Sequence, residues 1–251
     1  MLNACCVVGT FGDIEHILLV GICGGVPHYT DFYNHVRLGD IIVSTPNQKG
    51  QFYIYCDKVT EDMEHGTIHY SLKSWAPSNP VMLDIARELT EKSAGDSKLS
   101  SWEKFIADGQ ELLQGQEVDF NRPAPETDRL FMNIGGNDMI EVGHPPIPED
   151  AKATCRPGFP ALRFGAIASG KPLIKDDQLR LDFAARHQCV ATDTEFDQVL
   201  ESIVGNRKES FIFIRGVADY LDGSKNADWQ PYASLGAAAF MKAIIENLPK
   251  P

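Results

Sequence analysis

The stretch Ile212-Phe213-Ile214-Arg215-Gly216-Val217-Ala218-Asp219-Tyr220 constrains the fold of this chain more than any other. Three β-branched and aromatic residues bounded by a charge and a glycine read as a short buried strand. Asp219 falls just past that strand, and the polar turn Asp222-Gly223-Ser224-Lys225-Asn226 follows it. Trp229-Gln230-Pro231-Tyr232 then leads into an Ala-rich helix predicted from Ala233 to Leu248. Strand, carboxylate, loop and helix in that order put Asp219 where α/β sheets hold ligands, at a strand's carboxyl end. A carboxylate there could serve as a general acid. It could equally cap the turn that follows, and spacing alone leaves both readings open.

Similar junctions recur upstream. His16-Ile17-Leu18-Leu19-Val20 reads as a strand emptying into the glycine-rich turn Gly21-Ile22-Cys23-Gly24-Gly25-Val26-Pro27. Glycine permits both a tight turn and close approach of backbone to a ligand. The turn is neither a dinucleotide fingerprint nor a P-loop, and packing beneath the sheet is its plainer reading. Val36 to Ser44 gives a turn and a second strand, Phe52 to Cys56 a third, and Pro80 to Thr90 a helix. Residues 91–160 are poorer in core signal, with one helix near Trp102 to Leu113, and read as an insertion or lid within a single domain spanning 1–251.

Leu162 to Ile167 reads as a strand broken by Ala168-Ser169-Gly170-Lys171. A helix from Asp177 to His187 precedes the short strand Cys189 to Ala191, which runs into Thr192-Asp193-Thr194-Glu195-Phe196-Asp197 and a helix through Ile203. Glu195 therefore also sits at a strand-to-helix junction, where it could face a ligand or simply complement the helix dipole. Alternating strands and helices with three strand-end loops predict an α/β fold whose site lies where those loops converge.

Composition narrows the class of partner. The 251 residues suffice for one large domain, and a net charge of −12 gives no electrostatic case for nucleic acid or an anionic membrane. Cys5, Cys6, Cys23, Cys56, Cys155 and Cys189 show neither paired metal spacing nor a disulfide framework, which points to a reducing compartment. Asp13 and Glu15 interrupt the first apolar run, and no uncharged run reaches membrane-spanning length, so a cytoplasmic location is expected. The seven histidines lack metal-ligand spacing, and neither a metal nor a cofactor is implied.

Four ordered blocks together resemble the nucleoside phosphorylase and nucleosidase superfamily, in particular its purine nucleosidase-like branch of domains from multidomain proteins. They are Val20 to Pro27 with Arg37-Leu38-Gly39-Asp40-Ile41; Arg122-Pro123 with Thr127-Asp128-Arg129-Leu130-Phe131; Gly165 to Gly170; and Ile214 to Tyr220 with Trp229 to Ala233. The resemblance implies a three-layer α/β/α sandwich around a twisted mixed sheet, lacking the family's first strands and assembled as a homo-oligomer. It implies Asp219 as the acid toward N7 of a departing purine, and Glu195 with Thr194 against the ribose. It further implies Ile167, Ala168 and Ser169 along the purine edge, and Cys23, Gly24 and Gly25 beneath ribose and nucleophile.

Phosphorolytic members carry an Arg and a Ser or Thr where this chain has Leu19 and Ile22, and apolar side chains cannot pair a phosphate dianion. The expected reaction is therefore hydrolysis of a purine nucleoside or nucleotide, of the adenosine, AMP or ATP class. The alternatives are phosphorolysis, or a purine-binding module without turnover. The family's water-activating carboxylate precedes the first residue of this sequence, and neither Glu15 nor His28 has spacing that supports a substitute. Phe196-Asp197 replaces the family's small residues after the Glu, and Lys171 replaces an Asp often found there. With Lys175, Arg163 and Lys225, Lys171 could form a basic rim for nucleotide phosphates; four solvated surface charges is the plainer reading.

Overall fold

The computed structural model describes residues 10, 12–62, 64–93, 98–135, 138–152, 156–194, 196–221 and 227–249. Glu195, Lys225, the turn at 222–226, Cys5, Cys6 and Cys155 lie outside them. The described strands are β1 (His16–Gly25), β2 (Ile41–Ser44), β3 (Tyr53–Asp62), β4 (Thr67–Trp75), β5 (Leu130–Gly135), β6 (Asp138–Val142), β7 (Leu162–Ser169), β8 (Cys189–Asp193) and β9 (Ser210–Asp219). The α-helices are α1 (Val81–Ser93), α2 (Ser101–Leu112), α3 (Lys171–Lys175), α4 (Asp177–His187), α5 (Asp197–Gly205) and α6 (Trp229–Glu246), with a 3₁₀ turn at Pro125–Thr127.

Seven strands form one mixed sheet in the order β2-β9-β1-β8-β7-β3-β4, and β5 and β6 form a separate hairpin. β9 runs parallel to β1 and antiparallel to β2, while β7 runs parallel to β8, β3 and β2. Because β2 pairs with both β9 and the first half of β7, the sheet curls until five strands close into a ring. Both faces are covered, as near-continuous apolar strands require. One face buries Ile41, Tyr53, Ile167 and Phe213 beneath Trp102 and Ile106 of α2, Leu200 of α5, and Trp229, Tyr232 and Phe240 of α6. The other packs Ile54, Ala166 and Ala168 against Leu173 of α3 and Phe183 of α4. This is the expected three-layer mixed α/β fold.

Element ends shift for physical reasons. β9 is ten residues long and Arg215 lies mid-strand, so Asp219 is its last residue rather than a loop residue. β1 likewise continues through Gly25 instead of turning at Gly21, because glycines leave room for neighbouring strands to crowd it. β4 carries polar residues on an alternately exposed surface and the β5–β6 hairpin exposes Ile134, Met139 and Ile140, so neither shows a core pattern in sequence. Within 91–160, α2 instead places Trp102 and Ile106 in the core beside α6. Its start is fixed by a capping box, in which Ser100 accepts from the Glu103 N–H and Glu103 accepts from the Ser100 N–H.

Candidate active site

Strand registers line up a row across the sheet. Asp219 of β9 pairs with Gly24 of β1, Gly24 with Thr192 of β8, Thr192 with Ala168 of β7, and Ala168 with Ile54 of β3. At about 4.8 Å between strands, Asp219 and Ala168 stand ~14 Å apart along the curved sheet. Ser169 pairs with Asp193 one step further, and Ile167 with Ala191 one step back. β1 and β8 meet antiparallel only at Gly24 and Gly25, so strand ends arriving from opposite directions converge on this point. Residues separated by nearly two hundred positions thus reach one place, as the sequence reading expected of its strand-end loops.

The β1 glycines serve close approach rather than a turn. A Cβ on Gly24 would lie 3.1 Å from Oδ1 of Asp219 and 2.5 Å from Cγ of Leu221. At Gly21 it would lie 2.8 Å from Nη1 of Arg215. Cys23, between them, is buried, and burial raises its thiol well above the ordinary range, leaving a neutral packing residue. A register shift between Cys23 and Gly24 delivers Asp219 beside Gly24.

Position 194 is held from two sides. Thr194 O accepts from the Tyr53 hydroxyl at 2.7 Å and from Ser169 Oγ at 2.9 Å, and the Phe196 N–H donates to the same tyrosine oxygen at 3.2 Å. The backbone on either side of residue 195 is therefore anchored to β3 and β7, although Glu195 itself is outside the described residues. Asp193 accepts from the Thr194 N–H at 2.7 Å and pairs with Arg215 Nε at 2.7 Å, both side chains almost fully buried. Burial pushes the Asp193 carboxyl above its ordinary value, with Arg215 pulling it back. Arg215 also lies over the rings of Phe196 and Phe213, so Phe196 packs on this ion pair. Nη2 of Arg215 has no hydrogen-bond partner among the described residues.

The segment after Asp219 is tied down by Arg180, which sequence reasoning missed. Leu221 adopts a left-handed φ of 56°, its N–H donates to Asp219 Oδ1 at 3.1 Å, and its carbonyl accepts from Arg180 Nη2. Arg180, buried in α4, also donates to Leu173 O at 3.1 Å and Asp177 Oδ1 at 2.8 Å. One guanidinium thus joins the loop after β9 to the loop after β7. Only the DDQLR spacing hints at this, since Arg180 lies three residues after Asp177 on one helix face.

The expected basic rim is not assembled. Lys171 and Lys175 are exposed at the two ends of α3, and Lys225 is outside the described residues. Arg163 lies six residues before Ser169, ~20 Å along the strand, and pairs with buried Asp40 at 3.4 Å over the ring of Phe32. Strand direction carries it away from residues that are its neighbours in sequence. Glu15, just before β1, is nine strand residues from Gly24, ~30 Å away, while His28 Nδ1 is taken by the N–H groups of Thr30 and Asp31.

A second cluster lies behind Asp219. Tyr220 donates to Asp128 Oδ1 at 2.8 Å, Arg37 Nε pairs with Asp128 Oδ2 at 2.8 Å, and His144 Nε2 bonds to Asp128 O at 2.8 Å. His144 Nδ1 then meets His35 Nε2 at 2.9 Å. Burial, and secondarily His144, push the His35 imidazole down to about 3, so it is neutral. The two histidines are 109 positions apart, which no local spacing reveals.

No family model matches the chain. A curated relative, a nucleotide-binding leucine-rich repeat (NLR)-like protein of Hyaloscypha variabilis, is 26% identical over 238 residues, 94% of this chain and 22% of that protein. The chain therefore spans about a fifth of the length of the curated relative it matches. Solved structures cover 98% of the chain. They include a Francisella philomiragia protein provisionally described as a 5′-methylthioadenosine/S-adenosylhomocysteine nucleosidase (15% identity, 75% of that chain, TM-score 0.51). The Neisseria meningitidis nucleosidase of that name, in complex with methylthio-immucillin-A, is 12% identical over 77% of its chain, with TM-score 0.50. A Borrelia burgdorferi protein of the same provisional description, bound to adenine, is 15% identical over 74% of its chain, with TM-score 0.50. The chain has the fold of these nucleosidases. Among the described residues, no helix is long and apolar enough to cross a membrane.

Proposed function

We propose that the protein hydrolyses the N-glycosidic bond of a purine nucleoside or nucleotide and releases the free base. The observation that carries this reading is the row Asp219–Gly24–Thr192–Ala168, which sets a carboxylate, a side-chain-free strand and the β7 backbone around one convergence of strand ends. Asp219, oriented by the Leu221 N–H, donates a proton or hydrogen bond to N7 as the C1′–N9 bond breaks. The base leaves as a neutral molecule and the sugar passes through an oxocarbenium-like state. Water adds its oxygen to C1′ and loses a proton to solvent. Gly24 admits the ribose against the strand, and Glu195 with Thr194 receives the ribose hydroxyls, where negative charge also favours the developing cation. Adenine bound to one protein of this fold, and an immucillin to another, agree with a purine-shaped site.

Water is preferred over phosphate as acceptor on electrostatic grounds. Leu19 and Ile22 offer no charge, and the buried cation nearest β1, Arg215, is already neutralised by Asp193 at 2.7 Å. A dianion would enter without a counter-charge, which is costly in a buried site. The test is chromatographic detection of free base from adenosine, inosine, AMP and ATP, each with and without phosphate. Release without phosphate supports the hydrolase; release only with phosphate replaces it by a phosphorylase. Purine binding without release leaves a binding module.

A further inference from the structure

We infer that the hydroxyl of Thr192 is a ligand contact, reading the bound purine base between Asp219 and the β7 edge. Thr192 is 2% exposed, and its Oγ1 has no hydrogen-bond partner among the described residues. A buried hydroxyl without a partner is destabilising, and an isosteric valine would relieve it. Two further observations say where this one points. Thr192 is in direct register with Gly24 on one side and Ala168 on the other. Directly registered residues project to the same face of a sheet. The Cβ direction of Gly24 leads to Oδ1 of Asp219, 3.1 Å from a Cβ placed there. The Thr192 hydroxyl therefore shares the face of the Asp219 carboxylate, two strands or ~10 Å away along the sheet. A planar heteroaromatic base that approaches Asp219 with one edge and the β7 backbone with another passes over Thr192. Its hydroxyl both donates and accepts, so it can meet a ring nitrogen or an amino group.

The inference rests on the purine reading above and is tested through binding. Adenine and adenosine are titrated calorimetrically into the wild-type chain, Thr192→Val and Thr192→Ser, with thermal melting of each. Thr192→Val is expected to melt higher by roughly 2–4 °C, because an unmet polar group is removed. It is expected to bind adenine and adenosine both roughly 10–100-fold more weakly, because the base loses its partner. Thr192→Ser should stay within a few-fold of wild type. The opposed signs separate a ligand contact from a packing residue, which would move stability and affinity together or leave affinity alone. Unchanged adenine affinity in Thr192→Val overturns the inference, as does a loss confined to adenosine, which would place the hydroxyl on the sugar. If Thr192→Val fails to fold, a Thr192→Ser affinity reduced as far as 100-fold overturns it too, and one near wild type supports it. A wild-type chain that binds neither compound overturns the purine reading itself, and this contact falls with it.

Discussion

Removing the carboxylate of Asp193 should destabilise the protein far more than an average surface substitution. Asp193 and Arg215 are 2% and 3% exposed and meet at 2.7 Å, and Arg215 Nη2 has no other partner among the described residues. Asp193→Ala therefore strands a guanidinium in the core, and breaking a buried pair from one side costs about 3–5 kcal/mol. The flanking rings of Phe196 and Phe213, 4.7 and 5.2 Å from the guanidinium carbon, offset part of this, since a desolvated cation–π contact contributes about 1–2 kcal/mol. The lower end, about 3 kcal/mol, is the expected value. For a urea m-value of about 3 kcal/mol/M the midpoint then falls by roughly 1 M. The double variant Asp193→Leu with Arg215→Met removes both charges and should recover most of the loss, giving a coupling energy of at least about 1.5 kcal/mol in a double-mutant cycle. A single-variant cost below about 1 kcal/mol, or purely additive singles, would refute the argument that this pair is dry and mutually dependent.

Other consequences follow from the same geometry. Gly24→Ala should fold, since its Cβ meets the Leu221 side chain, yet cut base release at least about 10-fold by displacing the Asp219 carboxylate; unchanged turnover would contradict the close approach. Arg180→Met, which frees Leu221 O and Leu173 O, should lower kcat by about 10–100-fold. Arg180→Lys should fall between it and wild type, and a loss seen only in melting temperature would make Arg180 merely structural. His35 titrates in the folded state at about 3, against an ordinary 6.5. The unfolded chain therefore binds the extra proton below pH 6.5, and this contribution to stability is lost as pH falls from 6.5 toward 3. Between pH 7.5 and 5 the wild type should lose on the order of 1–2 kcal/mol more than His35→Gln by urea denaturation; parallel losses would show that His35 is accessible to protons.

The sequence made the frame of the site legible and concealed its supports. Asp219, Ser169 and Thr194 end apolar runs, and a strand that stops at a polar residue is visible without a structure. The direction of the strands was not. Arg163 stands eight residues before Lys171 in sequence, yet β7 carries it to the far end of the sheet. Glycine in β1 admitted two readings, turn or crowding, and only the neighbouring side chains of Arg215 and Leu221 decide between them. The His35–His144–Asp128–Tyr220 cluster and the Arg180 bridge join residues from 41 to 109 positions apart, and side-chain pairing at that range leaves no periodicity. β4, β5 and β6 escaped notice because their residues are largely exposed, so burial imposes no alternation on them.

The central claim is that Asp219 drives departure of a purine, and its most direct measurement is single-turnover base release by wild type and Asp219→Asn, with adenosine affinity measured alongside. The account predicts that the amide, which keeps the shape and the Leu221 contact but cannot deliver the proton, binds adenosine within a few-fold of wild type and releases base at least about 100-fold more slowly. Equal release rates in the two proteins would contradict it and take Asp219 out of the reaction.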